Sequence, residues 1–283
     1  MRLHLWPEFL GEVDEKDDPS DEKLRKRMSR TSENFARGRA EFPLVQFRDR
    51  AEAGRILAEK LRHYANNQNA VVLALPRGGV PVAYHVAQAL RLPLDVFVVR
   101  KLGLPGHEEL AIGAIASGGV RVLNEEILSL IPNAERIVAE VTAREVQELQ
   151  RREALYRGER SPVELRHKIV ILVDDGAATG ATMKAAVKAL REHAVAKIVT
   201  AVPVGAPETC YELSRLADES ICAIEPQWFR AVGQFFRDFS PTTDQEVREL
   251  LARGQNELKQ VEPGMPDQAG AAYLRGRAKS CPR

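Results

Sequence analysis

Apolar positions follow two rhythms along the chain. Short apolar runs at residues 71–75, 94–99, 169–173, 197–202 and 220–224 read as strands buried on both faces. Between them apolar residues recur at three- and four-residue intervals. Ala53, Ile56, Leu57, Leu61 and Tyr64 form one such face, behind Asp49 and Glu52 at the spacing of a helix start. Ala83, Val86, Ala87 and Leu90 form a second, and Met183, Ala186, Val187 and Leu190 a third. Cys210, Leu213 and Leu216 mark a shorter helix, and Val247, Leu250 and Leu251 follow the capping box Thr243–Glu246. Ile112–Ala116 and Val120–Leu123 read as a hairpin around Ser117-Gly118-Gly119. Residues 133–157 read as a charged helix with a partial apolar stripe, part of a helical insertion at about 125–165. Strands alternating with helices predict an α/β fold: a mainly parallel twisted sheet with helices on both faces.

Polarity divides the chain further. Residues 1–42 carry an acidic run, then a basic run, and are expected to be a disordered extension. One domain is expected over 43–253, and the polar stretch 254–283 as a disordered tail. The net charge is +1 over 283 residues, which argues against a dedicated nucleic-acid or membrane surface. No apolar stretch reaches the length of a membrane span, and residues 1–14 lack the apolar core of a signal peptide. Cys210, Cys222 and Cys281 have no metal-ligand spacing. They suit a reducing cytosol and predict no disulfide, so the expected location is cytoplasmic.

The candidate chemistry centres on Lys168–Met183. A buried strand ends in two adjacent acids, Asp174 and Asp175, followed by a small-residue loop, Gly176 to Thr182, and a helix. Amides of Ala178, Thr179, Gly180, Ala181 and Thr182 at a helix N-terminus suit a phosphate. The acids cannot share that phosphate; they suit hydroxyls or a hydrated magnesium ion. A dinucleotide site would need G-x-G-x-x-G and a P-loop G-K-[ST], and the stretch has neither. Phosphoribosyl pyrophosphate (PRPP) combines the phosphate, the diol and the magnesium-bound pyrophosphate that this layout calls for.

The stretch VDDGAATGAT resembles the PRPP-binding motif of type I phosphoribosyltransferases, and the chain looks like a bacterial subgroup whose acceptor is open. The resemblance covers about residues 43–251 and implies that family's fold. It implies transfer of the 5-phosphoribosyl group to a nitrogen acceptor with release of pyrophosphate, and Mg2+ as cofactor. Asp174 and Asp175 would hold the ribose diol and, through water, the metal. Gly176 and Ala177 would line the PRPP site, and Ala178, Thr179, Gly180, Ala181 and Thr182 would hold the 5-phosphate. Arg77, Gly78 and Gly79 would form the pyrophosphate loop, joined by Arg100 and Lys101. Leu102–Glu109 would be a mobile loop closing over PRPP. Gly103 stands where a lysine is often found in adenine-type relatives, so Lys101 is the main cation there. Glu108, Glu109, Trp228 and Phe229 are candidates for the acceptor side, against a solvated loop and core-packing aromatics. Ala178 occupies the place of an acid in hypoxanthine–guanine enzymes, which disfavours 6-oxopurines. The implied partners are PRPP and a small acceptor, with no nucleic acid and no membrane; a homodimer is left open. A PRPP-sensing regulator on the same fold is the alternative, and a non-catalytic interaction protein a third class.

Overall fold

A computed structural model describes residues 46–261. The elements run α1 (Arg50–Lys60), β1 (Ala70–Ala74), α2 (Gly79–Leu90), β2 (Leu94–Val96), β3 (Val99–Leu104), β4 (His107–Ala116), β5 (Arg121–Leu123), α3 (Glu125–Leu128) and α4 (Ala134–Arg157). They continue with β6 (Ile169–Val173), α5 (Ala181–Arg191), β7 (Lys197–Val204), α6 (Pro207–Leu216), β8 (Glu219–Ile224) and α7 (Asp244–Val261). Five strands form one parallel sheet in the order β2-β1-β6-β7-β8. The expected α/β architecture is therefore present.

Alternation along the strands explains why their runs are continuously apolar. Val72, Ala74, Ile171, Val173, Val199 and Ala201 face one core with α1, α2, α4 and α7. Val71, Leu73, Val170, Leu172, Ile198 and Val202 face the other with α5 and α6. Every strand position thus meets a helix on one side or the other. The Asp49 carboxylate accepts from Glu52 N at 2.8 Å, and α1 starts at the next residue, as the spacing predicts.

The chain departs from expectation in four places. The run at 94–99 is two strands. Phe97 N still bonds Ala74 O in the large sheet, but Val98 N turns to Ser117 Oγ and the chain crosses into a second, three-stranded antiparallel sheet, β3-β4-β5. Residues 102–109, expected as a loop, are mostly ribbon: Leu102 pairs with Gly113 and Leu104 with His107. Only Pro105 and Gly106 turn, Gly106 at φ +80°; the glycine and proline signals marked a turn, not a long loop. Helix α7 passes Gly254 and runs to Val261, with Gly254 beside Leu94 and Tyr84. The expected extension at 1–42 and the tail beyond 261 lie outside the described residues. Finally, Cys210 and Cys222 form a disulfide. Helix α6 and strand β8 bring their Cα atoms to 6.2 Å across a 12-residue separation, a proximity made by the fold and invisible in spacing.

The helical insertion is locked by charge to β2, the edge strand of the parallel sheet. Arg157, at the end of α4, donates to the buried Asp95 carboxylate at 3.0 Å and to Val96 O at 2.7 Å.

Candidate active site

The strand order reverses between β1 and β6. From β1 the chain crosses to β2 on one side, and from β6 to β7 on the other. The carboxyl ends of two such strands flank a crevice, the usual ligand site of an open α/β sheet. Here the crevice is lined by Pro76–Gly79 after β1 and by Asp174–Gly180 after β6. The two segments touch: a Cβ on Gly78 would lie 2.1 Å from Asp175 Oδ2, and one on Gly79 2.9 Å from Asp174 Cα. Glycine is needed at both because the backbone of one loop abuts the acids of the other. The Pro76–Arg77 peptide is cis.

The loop after the acids is bonded on its outer side. Ala177 N donates to Val204 O (2.9 Å), Ala206 N to Ala177 O (2.9 Å), and Thr209 Oγ1 to Ala178 O (2.6 Å). Gly180 caps α5 at φ +63°, a conformation that favours glycine. Among the described residues, the amides of Ala178, Thr179 and Gly180 have no acceptor. Three consecutive unengaged N–H groups at a helix N-terminus form an anion cradle. Thr179 and Thr182 are exposed, with hydroxyls available on the same rim.

Sequence reasoning missed Arg50, the first residue of α1. Its Nε and Nη2 lie 2.9 and 2.8 Å from Asp175 Oδ2, and Nη1 donates to Ser240 O at 2.8 Å. The guanidinium also sits 4.0 Å above the Phe239 ring. No local signal marks it, since its partners are 125 and 190 residues away. The aromatic segment reaches the site here and at Val232, which packs against Gly176. Burial raises the Asp174 carboxyl well above the ordinary range, and the neighbouring Asp175 charge adds to this. Burial also raises Asp175, while Arg50 pulls it back. Asp174 accepts one N–H, from Asp175 at 2.8 Å.

Residues 46–240 match the model of the phosphoribosyl transferase domain. The chain belongs to the phosphoribosyl transferase family. Two Mycobacterium tuberculosis relatives, provisionally named phosphoribosyl transferase in strains CDC 1551 and H37Rv, are each 44% identical over 229 residues, 81% of this chain. The chain spans about half the length of these curated relatives, 51%. A crystal structure of a Thermus thermophilus protein superposes with a TM-score of 0.67 at 40% identity, covering 74% of this chain and 98% of that one.

Within this phosphoribosyl transferase domain, the residues singled out in the sequence fall into three groups. Asp174, Asp175, Gly78, Gly79 and the loop 176–182 converge at the crevice, with Arg77 on the rim. Arg77 is half-exposed, and its guanidinium lies 3.9 Å from Asp244. Lys101, Glu108 and Glu109 lie on the β3–β4 ribbon, where Lys101 Nζ is 3.8 Å from the Glu109 carboxylate. The Glu108 carboxyl is held below its ordinary range by the N–H groups of Glu108 and Gly106, which makes it a weaker base. Arg100 is committed elsewhere: its Nε and Nη2 grip Glu145 of α4 at 2.9 and 2.7 Å. Phe229 spends one face on Phe235, with ring centroids 5.4 Å apart, whereas Trp228 is 72% exposed.

Proposed function

We propose that this chain transfers the 5-phosphoribosyl group of PRPP to a nitrogen atom of a small acceptor, releasing pyrophosphate. The observation that carries the reading is the contact of two loops at the switch point. An anion cradle and an acid pair on one side meet a glycine loop bearing Arg77 on the other. PRPP has a matching order of groups: phosphate, diol, anomeric carbon, pyrophosphate.

The 5-phosphate would take the free amides of Ala178–Gly180 and the hydroxyls of Thr179 and Thr182. Asp174 and Asp175 would accept from the ribose hydroxyls and stabilise positive charge developing on the ring. Arg77 and Lys101 would hold the leaving pyrophosphate, giving charge-assisted bonds as the anomeric bond lengthens. Arg50 favours the ionised form of Asp175 and leaves Asp174 as the carboxylate that can turn to ligand.

The acid pair fits magnesium. Asp174 has one hydrogen bond, and burial works against its charge, so a hard cation nearby would restore the ionised form. No carboxylate trio surrounds it among the described residues, so most ligands would be water and substrate oxygens, as Mg2+ prefers. When bound, Mg2+ neutralises the pyrophosphate charge.

The acceptor proton has no carboxylate to go to at position 178, which is Ala178. A general base contributes about 10²–10⁴-fold, so hypoxanthine and guanine are expected to be poor acceptors. Trp228, on the segment next to Gly176, offers an exposed face to a planar base. The test is a pyrophosphate-release screen with PRPP, Mg2+ and a panel of purines, pyrimidines and amines. Release with an acceptor other than a 6-oxopurine is expected. Fastest turnover with hypoxanthine or guanine would overturn the specificity, and no release with any acceptor would overturn the transfer.

A further inference from the structure

The disulfide has a neighbour that a disulfide does not use. The Glu225 carboxylate stands just beyond β8, and its oxygen, Cys210 Sγ and Cys222 Sγ all lie within 4.8 Å of one another. Glu225 makes no hydrogen bond or ion pair among the described residues. Beside the three groups is a cavity of about 220 Å3, also lined by Tyr211, Ser214 and Ser220. We propose that reduced Cys210 and Cys222, with Glu225, form a binding site for one thiophilic divalent cation of the zinc class, and that the disulfide is its metal-free form. This does not rest on the transferase reading.

The chemistry of the donor set selects the metal. Two thiolates and a carboxylate are a zinc-type set, and a tetrahedral zinc would place these atoms about 3.5–3.8 Å apart. Opening the S–S contact to that distance needs side-chain rotation only, because α6 and β8 already hold the Cα atoms 6.2 Å apart. Cys210 lies in the first turns of α6, where the helix N-terminus favours thiolate. Gly205 closes one wall; a Cβ there would lie 2.4 Å from Cys210 Sγ and 3.2 Å from Cys222 Sγ. The cavity leaves room for a water as fourth ligand. The step balances: two equivalents of a small thiol give up two electrons and two protons, becoming a disulfide, and the Cys210–Cys222 bond becomes two thiols. The entering cation then displaces the two thiol protons to solvent.

Cobalt(II) is the probe. The full chain is reduced with a phosphine, stripped of metal anaerobically and titrated. One thiolate-to-cobalt charge-transfer band per chain is expected, displaced by one equivalent of Zn2+ and absent from the diamide-oxidised chain. Cys222→Ser should abolish it, Glu225→Gln should weaken cobalt affinity at least about tenfold, and Cys281→Ser should leave it unchanged. Iodoacetamide on the reduced wild-type chain gives the same loss without relying on a mutant's fold. No band in the reduced chain, a band surviving Cys222→Ser or alkylation, or one indifferent to Glu225→Gln overturns the site.

Discussion

The two aspartates differ in their surroundings although they are neighbours. Asp175 has the Arg50 guanidinium, and Asp174 has one backbone N–H. Ionising Asp174 is therefore destabilising in the ligand-free protein. Its folded-state carboxyl titrates above the unfolded one. The folded state then holds the proton over a window in which the unfolded state has lost it. Stability falls as pH rises through that window and is lowest above it. Asp174→Asn should accordingly raise the melting temperature of the ligand-free chain at neutral pH, by about 2–4 °C per kcal/mol gained. The gain should vanish below about pH 4, where the unfolded aspartate is protonated as well. Scanning calorimetry at several pH values checks this, and a gain independent of pH would contradict it. Arg50→Ala should act in reverse, destabilising by about 3 kcal/mol at neutral pH because a partly buried Asp175 charge loses its partner. Arg50→Lys should not restore the loss, since an ammonium cannot bridge Asp175, Ser240 O and the Phe239 face at once; urea melts decide. The acid pair was legible because strand, acids and loop are contiguous. Arg50 was not, because an arginine after a helix cap resembles any surface arginine until the fold brings Asp175 to it.

Among the elements, the strands and helices of the parallel sheet were legible from periodicity alone, since burial on both faces leaves continuous apolar runs. The β3–β4 ribbon was not. Its tip is exposed from His107 to Leu110 and polar except for Leu110, so it lacks the alternation that marks a half-buried strand. The loops between elements depend on close contacts, and two changes probe them. Gly78→Ala puts a methyl into the Asp175 carboxylate and should destabilise by about 1–3 kcal/mol while weakening PRPP binding. Thr209→Val removes the 2.6 Å bond to Ala178 O. It should cost about 1 kcal/mol and lower affinity for a nucleoside 5′-monophosphate about fivefold, read by calorimetry. An unchanged affinity would separate α6 from the cradle.

At the scale of the whole molecule, the crevice exists because the chain winds outward in both directions from β1 and β6. The sequence predicts the strands and their parallel direction, but not the order that makes those two adjacent. The ribbon carries Lys101 on a separate sheet from the cradle, so the two ends of PRPP would be held from different sheets. Lys101→Ala should weaken PRPP binding about tenfold or more and leave a 5′-monophosphate nearly unaffected, by isothermal titration of each. Equal losses would place Lys101 elsewhere.

The carbonyls of Ala177, Ala178 and Gly180 already accept from Ala206, Thr209 and Lys184. The cradle therefore favours anions: these three carbonyls already accept a bond each, whereas the N–H groups of Ala178, Thr179 and Gly180 have no acceptor among the described residues. The same partition sets a clock on each amide. Ala177 N–H, bonded into the sheet, should exchange slowly with deuterium whatever is present. Exposed Ala178 and Thr179 should exchange at nearly the rate of an unstructured peptide, and slow only when an anion sits down on them.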